Sequence, residues 1–173
     1  MTRKENIRFV VTSALIAAIY VGLTYLSNAF GLAYGAVQLR ISEVMTILPI
    51  FTPAAIPGLT LGCFIANIES FPADLVFGPI ATLIAAILTR AFRNIKFKEL
   101  PLLAILPPVL VNAIVIGFEL SIFIPTDKSI LSAFAFSAFT VGLGQFVVCY
   151  VLGIPFYISV KKYRLFERDN FSR

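Results

Sequence analysis

The sequence predicts an all-α integral membrane protein with six transmembrane helices, and three observations carry that prediction. First, 59% of the 173 residues are hydrophobic and only 13% are charged, with a mean hydropathy of +0.94. A soluble domain of this length could not hide so much apolar surface in one core. Second, the apolar residues fall in runs of the lengths a bilayer demands. Third, the basic residues behind the net charge of +5 sit in short clusters between those runs. That pattern points to a cytoplasmic leaflet rather than to nucleic acid.

The runs lie at about 9–30, 41–51, 53–68, 74–92, 101–124 and 130–160. The first follows Arg3, Lys4 and Arg8 and precedes Ser27-Asn28-Ala29, which resembles a signal peptide with a cleavage site. It is too long for a signal core of ~7–15 residues and more spans follow, so it reads as a permanent helix. The 41–68 stretch admits one long helix or two short ones. Pro49, Pro53, Pro57 and Gly58 favour a break near Phe51-Thr52-Pro53.

Charge decides between one and two. Arg3, Lys4 and Arg8 form one cluster; Arg90, Arg93, Lys96 and Lys98 a second; Lys161, Lys162, Arg164, Arg168 and Arg173 a third, leaving Arg40 and Lys128 apart. All three clusters share one side only if an even number of spans separates them. Two helices over 41–68 satisfy that condition, giving six spans with both termini inside. Helices 2 and 3 are then short, about 11 and 16 residues, and should be tilted, irregular or shielded by neighbours. Residues 1–173 form a single transmembrane domain with a long outer loop over 31–40.

In this topology the polar residues gather in the outer half. Gln38, Arg40 and Glu43 lie at the outer start of helix 2, and Asn67, Glu69 and Asp74 flank the turn between helices 3 and 4. Asn112 and Glu119 are seven apart on helix 5 and share a face; Gln145 is near the middle of helix 6. A carboxylate within a bilayer costs about 2.5–3.5 kcal/mol on insertion scales, so its default reading is a functional site. Two bland readings stand beside it: Arg40 pairs with Glu43, and Glu69 and Asp74 are wet loop residues. Asn112 alone also suits interhelical contact. The pattern describes an outward-opening capture site for a small polar ligand with donors or positive charge, rather than a channel lined along its length. Tyr34 and nearby Phe residues suit stacking on a flat ring.

Ala14, Ala18 and Gly22 recur every fourth residue on helix 1, with Ser13 and Ala17 beside them. Such a stripe lets another helix approach closely, and from spacing alone the neighbour is one of the same molecule. Histidine is absent, and Cys63 and Cys149 each lie inside an apolar run. Metal centres, His-based catalysis and a phosphate loop are therefore not expected, and no cofactor is implied. A membrane enzyme and a purely structural membrane protein are the competing classes, although no nucleophile–base pair stands out.

The residues Gln38-Leu-Arg-Ile-Ser-Glu43, Leu48-Pro49, Phe51-Thr-Pro-Ala-Ala-Ile-Pro-Gly58, Gly62-Cys-Phe-Ile-Ala-Asn67, Asp74-Leu-Val-Phe-Gly78 and Ala81-Thr82-Leu83 resemble the QueT family of S components. These are the substrate-binding subunits of energy-coupling factor (ECF) transporters, and QueT is associated with uptake of queuosine precursors. The likeness covers essentially the full length, with its specific motifs in 38–83. It implies an S-component-like bundle in the plasma membrane and no enzymatic activity of its own. Its partners would be a transmembrane T component and two cytoplasmic ATPases, and its ligand a 7-deazaguanine such as aminomethyl-deazaguanine or queuine. A different vitamin or heterocycle would require the same fold. In the wider family a small-xxx-small motif on helix 1 meets the T component, and Ala14-Leu-Ile-Ala-Ala18 matches it. The compact Glu69-Ser-Phe-Pro-Ala-Asp74 turn departs from the glycine-rich connection expected there.

Overall fold

The computed structural model describes residues 2–32, 39–127 and 129–166. Within them the chain forms six helices: α1 (Arg3–Ala29), α2 (Ile41–Ile50), α3 (Ala55–Ala66), α4 (Asp74–Ala91), α5 (Leu102–Phe123) and α6 (Ile130–Tyr163). Four of these, α1, α4, α5 and α6, are long and apolar enough to cross a membrane. Tyr34, Gln38, Lys128, Arg168 and Arg173 lie outside the described residues.

Side-chain contacts show that successive helices run in alternating directions. Between α1 and α2 the Ser27 hydroxyl accepts from the Ile41 amide at 2.9 Å, Thr24 donates to Ser42 at 2.7 Å, and Tyr20 donates to Glu43. Position numbers fall on α1 as they rise on α2, so the two are antiparallel. The chain then turns at Thr52-Pro53, where Ser13 of α1 donates to the Ala54 carbonyl at 2.9 Å. Helix α3 climbs beside α1: a methyl built at Gly58 would stand 2.7 Å from the Ser13 carbonyl oxygen, and one at Gly62 2.9 Å from Tyr20 Cβ. These two glycines, four apart, let the helices approach at backbone distance. Helix α4 descends until Arg90 donates to the Pro49 carbonyl of α2 at 2.9 Å. On α5 and α6, Gly117 faces Ala138, Gly142 faces Ala113, and Tyr150 donates to the Leu102 carbonyl. Lys161 at the end of α6 pairs with Glu99, before α5, at 3.2 Å. The described members of all three basic clusters thus lie at helix ends that share one end of the bundle.

Helix α2 is the post around which the rest is arranged. Ser42, Glu43 and residues 45–49 are all buried. Met45 and Leu48 join Ile16, Tyr20, Leu59, Cys63 and Val160 on one side, while Ile47 joins Ile105, Val109, Cys149 and Tyr157 on the other. The element is a 3₁₀ helix through its ten residues, with Pro49 inside it. A 3₁₀ helix rises about 2.0 Å per residue, against 1.5 Å for α, so ten residues reach roughly 20 Å rather than 15 Å. The stretch lets a short segment connect the level of Arg40 to that of Arg90. The second irregularity is a π-helical turn at Val147–Leu152 within α6, which carries Cys149 against α2. Helices α1 and α6 do not close on each other. An apolar groove of about 250 Å³ remains between them, floored by Val44, Met45 and Leu48 of α2.

A buried polar cluster as the candidate functional site

The alternation of helices puts the start of α2, the end of α3, the start of α4 and the end of α5 together, away from the basic end. Arg40, Glu43, Asn67, Asp74 and Glu119 stand there, all buried, and Glu119 is only 1% exposed. Arg40 precedes α2 in extended backbone and sends Nη1 to the Asn67 side-chain oxygen at 3.2 Å. Asn67 ends α3, and its amide nitrogen donates to the Asp74 carbonyl at 3.0 Å and contacts Cys63 Sγ at 3.5 Å. Gly78 makes room for this amide: a methyl there would collide with Asn67 Nδ2. Asp74 opens α4 and accepts from Ser70, whereas Glu69 is exposed. The Arg40 charge lies within Coulombic range of Glu43, Asp74 and Glu119, which makes it the common neighbour of all three carboxylates.

One layer deeper, Glu43 Oε1 accepts from Tyr20 of α1, and Gln145 of α6 approaches the same carboxylate. Cys149 Sγ lies 3.5 Å from the Gln145 oxygen and 3.7 Å from Thr46 Oγ1. Asn112 of α5 is buried beside Ala113, which faces Gly142 of α6 less than one helical turn from Gln145.

The informative atoms are those left over. Among the described residues, Glu43 Oε2, Asn112 Nδ2 and both carboxylate oxygens of Glu119 are buried with no hydrogen-bond partner. Buried polar groups are paired in the great majority of native structures, because an unmade hydrogen bond costs about 1–3 kcal/mol and more for a charge. Open acceptors on Glu43 and Glu119 within range of Arg40, with Glu119 also against the Asp74 side chain and the Asn112 donor two turns earlier on α5, suit a donor-rich ligand. Thr89 Oγ1 is also without a partner among the described residues, but it lies near the opposite end of α4.

Seven of the eight residues expected to bind ligand are therefore buried: Arg40, Glu43, Asn67, Asp74, Asn112, Glu119 and Gln145. The eighth, Gln38, lies outside the described residues. Ala14, Ala18 and Gly22 face outward, and nothing stands within 4 Å of a methyl built at Gly22. The close internal contact on α1 instead uses Ser13, Ile16, Ala17 and Tyr20 against Gly58 and Gly62. Tyr20 escaped the sequence reading as a site residue. Its signal was present in Tyr20, Thr24 and Ser27, spaced four and three apart along α1, which puts the three on one face.

A family model described as QueT transporter matches residues 10–162. The queuosine precursor transporter QueT of Lactococcus lactis subsp. cremoris (strain MG1363) is 35% identical over 83 residues. That alignment covers 47% of this chain and 49% of the relative, so the match spans about half the length of each. No solved structure matches. The resemblance read from residues 38–83 is borne out: the chain belongs to the QueT transporter family.

Proposed function

We propose that this chain is the substrate-binding S component of an ECF-type importer that captures a queuosine precursor of the 7-deazaguanine class. The observation that carries the reading is the set of unfilled buried acceptors at the end of the bundle opposite the basic clusters. With basic residues held in the cytoplasm, that end faces outside, both termini are cytoplasmic, and six passes cross the plasma membrane. Helices α2 and α3 complete the count as a hairpin: α3 turns Leu61, Phe64 and Ile65 outward, while α2 is buried among its neighbours, which is where irregular backbone is tolerated at membrane depth. A planar guanine-like ring offers an edge with adjacent N–H and NH₂ donors. A carboxylate with open oxygens takes such an edge in two hydrogen bonds, and the Asn112 amide has a donor to give a carbonyl.

Capture alone moves nothing uphill. ATP hydrolysis belongs to two partner ATPases, coupled through a T component that docks on the exposed stripe Ala14, Ala18 and Gly22. The outward face of these residues and the open groove beside them support that assignment. A different small heterocycle would use the same site.

The test is a calorimetric titration of detergent-purified protein with aminomethyl-deazaguanine, queuine, guanine and riboflavin. Sub-micromolar binding of one deazaguanine, well ahead of guanine and riboflavin, is the expected result. A folded sample that binds no deazaguanine rejects the substrate, and tight binding of riboflavin alone moves the assignment to another vitamin.

A further inference from the structure

Helix α1 presents three faces. Ser13, Ala17 and Tyr20 meet α3 at Gly58 and Gly62, while Ala14, Ala18 and Gly22 face outward. The third face belongs to the apolar groove of about 250 Å³ that separates α1 from α6. One wall is α1 from Thr12 to Leu23, the other is the end of α6 with Phe156, Val160 and then Leu165, and α2 is the floor. From Thr12 to Leu23 the groove runs for about 16 Å at ~1.5 Å per residue. That is roughly half of a ~30 Å hydrocarbon core, the depth of one leaflet. A volume of about 250 Å³ spread over that length is a slot roughly 4 Å across. A helix with its side chains is about 10–12 Å across and does not fit it. A single hydrocarbon chain, whose carbons keep ~3.5–4.0 Å from their neighbours, does.

Water gains nothing in such a slot, since its lining is apolar apart from Thr12. The two walls also carry a cation at the same end. Arg8 lies four residues before Thr12, hence on the groove face of α1. Arg164 follows Val160 by four residues and directly precedes Leu165, both in the opposite wall. Both arginines are exposed. Lys4, Lys161 and Lys162 share this end of the bundle. The acids beside them among the described residues are Glu5, held in the Thr2 cap, and Glu99, paired with Lys161. An apolar slot one leaflet deep that ends at two guanidinium groups is complementary to an acyl chain that ends at a phosphate.

We propose that the groove between α1 and α6 is a binding site for one anionic phospholipid, with an acyl chain in the slot over α2 and the phosphate at the Arg8–Arg164 end. Guanidinium groups take phosphate oxygens in paired, charge-assisted hydrogen bonds. Anionic lipid is concentrated in the cytoplasmic leaflet, the leaflet to which the basic end is assigned by its charge. Ala14, Ala18 and Gly22 do not line the groove, so a seated lipid leaves that stripe open to a partner helix. The site is separate from the polar cluster and does not depend on what that cluster binds.

The experiment titrates the purified full chain in detergent with phosphatidylglycerol and with phosphatidylcholine of the same acyl chains, and counts bound lipid by native mass spectrometry. Wild type is expected to hold one phosphatidylglycerol about tenfold or more tighter than phosphatidylcholine. An Arg8→Gln, Arg164→Gln double variant should bring the two lipids within about threefold of each other, with phosphatidylcholine binding unchanged. Ile19→Trp fills the slot from the α1 wall and should weaken both lipids by about tenfold or more. A Lys96→Gln, Lys98→Gln pair, exposed on the connection between α4 and α5, should behave as wild type. The proposal is overturned if wild type does not prefer phosphatidylglycerol, or if the preference survives loss of Arg8 and Arg164. It is equally overturned if the Lys96, Lys98 pair lowers the preference as much, which makes the attraction a diffuse property of the basic end. Undiminished lipid binding by Ile19→Trp also sinks it, and if that variant loses co-purification with a T component, the groove belongs to a protein partner instead. Folding is checked by gel filtration; the two charge variants alter exposed residues alone, so they decide the matter even where Ile19→Trp fails to fold.

Discussion

Two glycines on neighbouring helices make opposite predictions from the same substitution. A methyl at Gly62 would stand 2.9 Å from Tyr20 Cβ, 3.0 Å from the Ala17 carbonyl oxygen and 3.1 Å from Ala17 Cα. Carbon contacts are comfortable at about 3.5–4.0 Å, so α1 and α3 must part by roughly half an ångström. Two of the three obstacles are backbone atoms, which cannot swing away. Overpacking of this kind costs about 1–3 kcal/mol. At about 2–4 °C per kcal/mol for a chain of this size, Gly62→Ala should lower the melting temperature by roughly 2–12 °C. At Gly22 a methyl meets nothing within 4 Å. Gly22→Ala then gains only helix propensity, up to about 1 kcal/mol, and should melt no lower than wild type. The chain has no tryptophan but two buried free cysteines, Cys63 and Cys149. A thiol-reactive dye that fluoresces as these become exposed therefore reads unfolding in detergent. If Gly62→Ala melts with or above Gly22→Ala, the α1–α3 packing described above is wrong.

The remaining predictions concern the site and its docking face. Tyr20→Phe removes the one hydroxyl on Glu43 Oε1 and should destabilise the unliganded protein by about 1.5–3 kcal/mol. Much of that loss should vanish when Glu43→Gln is already present, and strictly additive melting shifts would deny the contact. Gly78→Ala pushes a methyl into the Asn67 amide that joins Arg40 to Asp74. Ligand affinity should fall by about tenfold with the fold retained; unchanged affinity would remove Asn67 from the site. Ala18→Leu on the exposed stripe should leave ligand binding intact and abolish co-purification with a T component. Undiminished co-purification would move the docking surface elsewhere.

The gathering of Arg40, Glu43, Asn67, Asp74 and Glu119 at one end of the bundle was legible because charge at membrane depth is expensive and rare. These five could be placed together from hydropathy and positive-inside arithmetic before any coordinates. The break at Thr52-Pro53 was legible for a similar reason, since proline disturbs a helix wherever it falls inside one. What hydropathy does not encode is the hydrogen-bond pattern within a helix. The 3₁₀ form of Ile41–Ile50 and the π turn at Val147–Leu152 were not foreseen, although Pro49 and the shortness of the segment both hinted at irregularity. Nor could spacing separate Asp74 from Glu69. Both flank the same turn, and only the packing of α4 against α3 buries the first and leaves the second exposed. The small residues of α1 form two adjacent faces, and spacing alone assigned the neighbouring helix of the same molecule to the wrong one. Gly58 and Gly62 meet Ser13, Ile16, Ala17 and Tyr20, which leaves Ala14, Ala18 and Gly22 to the outside.

The central claim is that the buried cluster is where a queuosine precursor is held. Its most direct test is equilibrium binding of radiolabelled aminomethyl-deazaguanine to wild type beside a Glu43→Gln, Asn112→Ala double variant of equal thermal stability. The account predicts sub-micromolar binding by wild type, displaced by unlabelled ligand, and a loss of about a hundredfold or more in the variant. Equal binding by the two proteins would place the ligand elsewhere in the fold and contradict the account.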